Sequence, residues 1–111
     1  MNGTKKYDGA LAMEPEGITE LVRGNEGRLL ERMTPLVCRE SVWLDLGRVE
    51  RIDAAGVAAL ITLYRMALEA GRRFRVTNPR PHVAEILGLL GLDGILMGDE
   101  HRGAELVESA A

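Results

Sequence analysis

Few residues in this chain are able to do chemistry, and their spacing limits what that chemistry can be. Asp45 and Asp53 flank one strand-to-helix passage and could be read as an acidic pocket at strand ends. Asp45, however, falls inside an apolar strand between Leu44 and Leu46, and Asp53 is placed to cap a helix. A metal site needs clustered His, Cys or carboxylate ligands at fixed spacing. His82 and His101 lie apart without partners at helical or turn spacing, and Cys38 has no histidine near it in sequence. Neither a metal centre nor a thiol nucleophile is expected. No glycine-rich phosphate loop of the Gly-x-Gly-x-x-Gly or Gly-x-x-x-x-Gly-Lys-Ser/Thr kind occurs, and no cofactor is expected. Arg72, Arg73, Arg75 and Arg80 form a basic patch, which a solvated sheet edge explains better than a ligand does. With no activated nucleophile and no acid–base pair, a binding protein is favoured over an enzyme.

What remains is the stretch Ile52-Asp53-Ala-Ala-Gly-Val57. The strand Ser41–Leu46, rich in apolar and β-favouring residues, is released by Gly47 into a short polar link. At Asp53 the chain turns into a helix carrying Val57, Leu60, Ile61, Tyr64 and Leu68, the ladder of one helical stripe. The Asp53 carboxylate is placed to accept from the amides of Ala55 and Gly56. Ala54, Ala55 and Gly56 leave the first turn almost without side chains, so another molecule could approach this positively polarised backbone. The opposite stripe is Ala58, Thr62, Arg65 and Glu69, with Ala59, Leu63 and Met66 at its border. That border is more apolar than a solvated face requires, which points to a partner surface.

The other elements frame this unit. Residues 1–8 are polar and expected to fray, and Ala10–Met13 reads as a first strand ended by Pro15 and Gly17. Ile18 and Leu21 suggest a second short strand. Asn25 is a candidate N-cap for a helix burying Leu29, Leu30 and Met33, which Pro35 should kink or split. Gly71 is a left-handed stop, and Arg73–Thr77 alternates as a strand with one buried face. Asn78-Pro-Arg-Pro81 leads into a helix carrying Val83, Ile86, Leu87 and Leu90, and Ile95–Met97 reads as a last strand. Trp43, inside an apolar strand, is expected in the core. The 111 residues suit one α/β domain, a mixed sheet of four to five strands with helices mainly on one face. Its expected limits are residues 9–98, followed by a polar tail over 99–111. A net charge of −3 argues against a nucleic-acid surface. No apolar run is long enough to span a bilayer, and no secretory signal opens the chain, so a cytoplasmic location is expected.

Leu44-Asp-Leu-Gly-Arg-Val-Glu-Arg-Ile-Asp-Ala-Ala-Gly-Val-Ala-Ala-Leu60 resembles the signature of the STAS family, the anti-sigma factor antagonist domain. The pattern there is a hydrophobic-Asp-Leu strand, a short link, Asp-Ser-Ser-Gly, a small residue and a long amphipathic helix. Ala70–Pro79 and Val83–Leu96 extend the resemblance, so that it covers the chain from about Gly9 to Met97. It implies a bacterial regulatory domain that binds a serine-kinase anti-sigma factor, and it leaves room for a homodimer. The second serine of the family motif, its phosphorylation site, is Ala55 here. The resemblance therefore implies binding without phosphorylation at the usual position, through Asp53, Ala54, Ala55, Gly56, Ala58, Ala59, Thr62, Leu63 and Met66. The alternative it leaves open is a STAS scaffold subunit of a transporter or signalling complex that is never phosphorylated.

Overall fold

The computed structural model describes residues 5–7 and 9–98. The elements run β1 (Lys5–Tyr7), β2 (Ala10–Met13), β3 (Glu20–Leu21), α1 (Glu26–Arg39), β4 (Ser41–Asp45) and β5 (Arg51–Ile52). They continue with α2 (Ala54–Glu69), β6 (Phe74–Thr77), α3 (Pro81–Leu89) and α4 (Asp93–Met97). The main sheet is mixed, in the order β1-β2-β4-β6. β1 and β2 form an antiparallel pair, and β2, β4 and β6 run parallel, with Leu11 opposite Val42 and Val42 opposite Phe74. Parallel neighbours need crossover connections, and α1 and α2 provide them. A two-stranded parallel pair, Glu20–Leu21 with Arg51–Ile52, stands apart from the main sheet. The α/β architecture and the neighbouring strands Ser41–Leu46 and Arg73–Thr77 agree with the sequence.

Period-two alternation divides the sheet into a covered and an open face. Val42 and Leu44 of β4 and Phe74 and Val76 of β6 are buried, while Trp43, Asp45, Arg75 and Thr77 between them are only half-buried. α1 packs on α2 and on β4, and α2 on β6, so Leu29, Met33, Leu60 and Leu63 meet the buried strand residues in one core. Helix ends follow local chemistry. α2 closes in a Schellman motif: Gly71 has φ +75°, its N–H donates to the Leu68 carbonyl, and the Arg72 N–H reaches back to the Ala67 carbonyl at 2.7 Å. Gly91, with φ +73°, ends α3 in the same way through Leu87 and Gly88.

Outside α2 the structure departs from the sequence reading at five places. Lys5–Tyr7, expected to fray, pair with β2 as a strand; the remaining residues of the expected lead-in other than Lys5–Tyr7, and the tail over 99–111, lie outside the described residues. Pro35 does not split α1, which runs unbroken from Glu26 to Arg39. Pro35 and Glu31, whose carbonyl loses its ladder partner, are both solvent-exposed, so water can take the missing bond. Asn25 holds the N-cap position of α1 without capping, because its side-chain amide donates to the Glu20 carbonyl instead. Ile95–Met97 is not a strand but part of α4, whose turn is closed by the Leu96 N–H on the Leu92 carbonyl. Trp43 lies on the open face, not in the core, with the Arg73 and Arg75 guanidinium carbons 5.2 and 5.0 Å from its ring centroid.

Candidate functional site

The passage from β5 into α2 is built around Asp53. Its extended backbone makes it the N-cap of α2, and the Gly56 N–H donates to its Oδ1 at 3.0 Å. Its second oxygen, Oδ2, accepts from the Arg23 N–H at 3.0 Å, so one carboxylate ties α2 to the turn between β3 and α1. The Arg23 amide first, and the Gly56 amide next, hold the Asp53 carboxyl below the usual carboxylate range. The Asp53 N–H in turn donates to the Leu21 carbonyl at 3.3 Å. This carboxylate fills part of the anion-attracting end that the sequence left open, so the helix N-terminus is not bare.

Gly56 is buried, and a Cβ there would fall far inside contact distance of the Leu21 carbonyl oxygen and 2.9 Å from Ile52 Cγ1. Glycine therefore lets α2 lie directly on the β3 backbone. Gly56 was expected to meet a partner; it meets Leu21 instead. Ala59, at 2% exposure, and Leu63, at 0%, likewise belong to the core and not to a docking surface. The buried residues of α2 are Gly56, Val57, Ala59, Leu60, Leu63 and Ala67. Of the expected stripe, Val57 and Leu60 are buried, and Ile61 and Tyr64 pack partly buried against the core. The burial is wider than expected through Ala59, Leu63 and Ala67, and Leu68 at the far end is 59% exposed. Met66 is half-buried against the core. What α2 presents outward near its start is Ala54 and Ala58, both exposed, with Ala55 and Thr62 half-buried.

Two neighbouring segments complete this end of the molecule, and sequence reasoning missed both. Asp45 ends β4, where its Oδ1 accepts from the Gly47 N–H at 2.7 Å and from the Asn78 side-chain amide at 3.2 Å. Asn78 adopts φ +54°, a left-handed conformation that asparagine tolerates. A Cβ at Gly47 would approach the Asn78 side-chain nitrogen to 2.5 Å and Asp45 Oδ1 to 3.0 Å, so glycine leaves the room in which these two side chains meet. Arg80 Nε donates to the Gly47 carbonyl at 3.0 Å, and the His82 ring bonds the Glu50 carbonyl. The β4–β5 loop is thereby pinned to the start of α3. Asn78 before Pro79, opposite a strand ending in Asp-Leu-Gly, was the only available signal, and it is a weak one. Among the described residues no group of three His, Cys, Asp or Glu side chains could hold a metal ion, and no helix is long and apolar enough to cross a membrane.

Comparison with known proteins places this geometry. The family model described as "Mlab, STAS domain" matches residues 19–98. No curated protein matches the chain. Among solved structures, a candidate anti-sigma factor antagonist from Thermotoga maritima, determined by crystallography at 1.59 Å resolution, superposes with a TM-score of 0.69. That match has 20% identity over 85% of this chain and 81% of the other. The NMR structure of the same Thermotoga protein superposes with a TM-score of 0.66 at 20% identity, covering 95% of this chain and 87% of that one. At this identity the likeness is one of fold.

Proposed function

Because the chain belongs to the STAS domain family, we propose that it is a regulatory protein-binding module that docks a serine-kinase anti-sigma factor through the start of α2 without being phosphorylated there. One observation carries the proposal: exposed Ala54 and half-buried Ala55 leave the start of α2 nearly free of side chains, on a backbone held in place by Asp53 and Gly56. The docking surface is Asp53, Ala54, Ala55, Ala58 and Thr62, with the pinned β4–β5 loop alongside. The Thermotoga protein, described as a candidate anti-sigma factor antagonist, shares the fold on which such a surface is carried. The site is one for contact, and nothing in the proposal requires catalysis.

Position 55 decides the regulation. Alanine offers no hydroxyl, and Thr62 lies about 10 Å further along the helix at 1.5 Å per residue. A kinase that presents its nucleotide at position 55 finds no acceptor. Ala55→Ser supplies one and is expected to restore phosphate transfer, while Ala55→Glu weakens binding by placing charge at the contact. The test is phosphate incorporation and binding affinity for the parent and both variants, using the kinase recovered with the protein from its host. Phosphate on the unaltered protein, with loss of binding, would sink the proposal. The same missing hydroxyl favours a second possibility, a permanent scaffold subunit of a transporter or signalling complex. Recovery of such subunits in place of a kinase-like protein would select it.

A further inference from the structure

At the other end of α2, about 20 Å from Ala54 at 1.5 Å per residue, a groove of about 580 Å³ opens between α2, the start of β6 and α4. Leu68 and Ile95 stand in it 59% and 44% exposed, more apolar surface than solvent contact calls for. Arg72, Arg73 and Arg75 line the same groove, and no carboxylate does among the described residues. Among the described residues β6 is the edge of the sheet on this side. The Val42 N–H donates to the Arg73 carbonyl and the Leu46 N–H to the Thr77 carbonyl, so the odd-numbered groups of β6 face β4. By the alternation of a strand, the N–H and C=O of Phe74 and Val76 point outward from the sheet. The segment expected to continue the sheet, Ile95–Met97, is helical and forms a wall of the groove instead.

We infer that this groove is a second docking site, for an extended acidic segment of a partner protein carrying apolar side chains between its carboxylates. The cationic lining sets the charge of the occupant, and exposed Leu68 and Ile95 account for its apolar positions. The outward main-chain groups of β6 favour an extended strand, which adds to a sheet edge through backbone hydrogen bonds. Carboxylates on one side of such a strand meet Arg72 and Arg75, while the alternate side chains cover Leu68 and Ile95. The site is separate from the start of α2 and does not depend on what docks there.

The chain supplies its own reporter, because Trp43 is the only tryptophan and lies against Arg73 and Arg75. The probe is an N-acetylated ten-residue peptide alternating Glu and Val, titrated into the full-length protein while Trp43 emission is followed. Saturable binding is expected, weakened about tenfold or more by Arg72→Glu and by Ile95→Asp. Circular dichroism confirms that both variants fold, and Ala55→Glu at the far end leaves the affinity unchanged. Equal binding of a Lys/Val peptide, no saturation with the Glu/Val peptide, or affinity unaffected by both groove variants would overturn the inference. A response to vesicles of anionic phospholipid but not to the peptide would overturn it in favour of a lipid headgroup.

Discussion

Asp53 and Gly56 act on the same turn by opposite means, one adding bonds and the other removing atoms. Loss of the Asp53 carboxylate frees two amides, those of Arg23 and Gly56, and loosens the turn before α1 as well as the helix start. Asp53→Ala is expected to lower both thermal and denaturant midpoints at neutral pH. The folded protein depresses the carboxyl below its ordinary value. This contribution is therefore complete above the unfolded value of about 3.9 and is lost as pH falls through the lower folded one. The gap between parent and Asp53→Ala midpoints should close as acid is added below about pH 4; a gap that persists into strong acid would show that the carboxylate's charge is not what matters. Gly56→Ala tests the close approach. Alanine has a helix propensity better by about 1 kcal/mol, yet its methyl has to displace the Leu21 carbonyl. Overpacking of this kind costs about 1–3 kcal/mol, so a net loss of stability is expected in urea titration. A neutral or stabilising result would mean that α2 slides away from β3 without cost.

Helix termini were the elements most legible in the sequence, because their chemistry is local. Asp53 as a cap and Gly71 as a left-handed stop follow from single residues, and the structure has both. Gly71→Ala should cost about 1 kcal/mol, since φ is +75° there although no atom crowds the added methyl; unchanged urea midpoints would remove the Schellman geometry from the account. The phase of α2 was legible only in part: Val57, Leu60, Ile61 and Tyr64 do face the core, but its full width was not foreseen. Val57, Ala59, Leu60, Ile61, Leu63, Tyr64, Met66 and Leu68 make it apolar nearly all round, and a helix of that kind fits several stripes equally well. Packing against α1 as well as the sheet buries Ala59, Leu63 and Ala67 and leaves Leu68 outside. That error carried straight into the site, where Ala59 and Leu63 proved to be core and Gly56 proved to be buried against Leu21. Ile95–Met97 failed for another reason: three apolar residues are too few to separate a strand from a helical turn. The contacts of Gly56 with Leu21 and of Asp45 with Asn78 join distant parts of the chain, and no local pattern announces them.

For the molecule as a whole, the parallel order of β2, β4 and β6 leaves no neighbouring pair among them joined by a tight turn. Each pairing has to wait until a helix has crossed over, and α1 and α2 are packed on one another over the same sheet face. The consequence is kinetic. Chain segments far apart in sequence must meet before any parallel strand is rewarded, and the α1–α2 contact is expected to be among the first to form. Leu63, fully buried in α2 within the core it shares with α1, is the residue through which that order can be timed. Leu63→Ala is expected to remove about 2–5 kcal/mol of stability, and most of the loss should appear as slower refolding, with little change in the unfolding rate. The measurement is a chevron in urea for the parent and the variant. If the unfolding arm moves and the refolding arm stays, the sheet forms first and the two helices merely settle onto it.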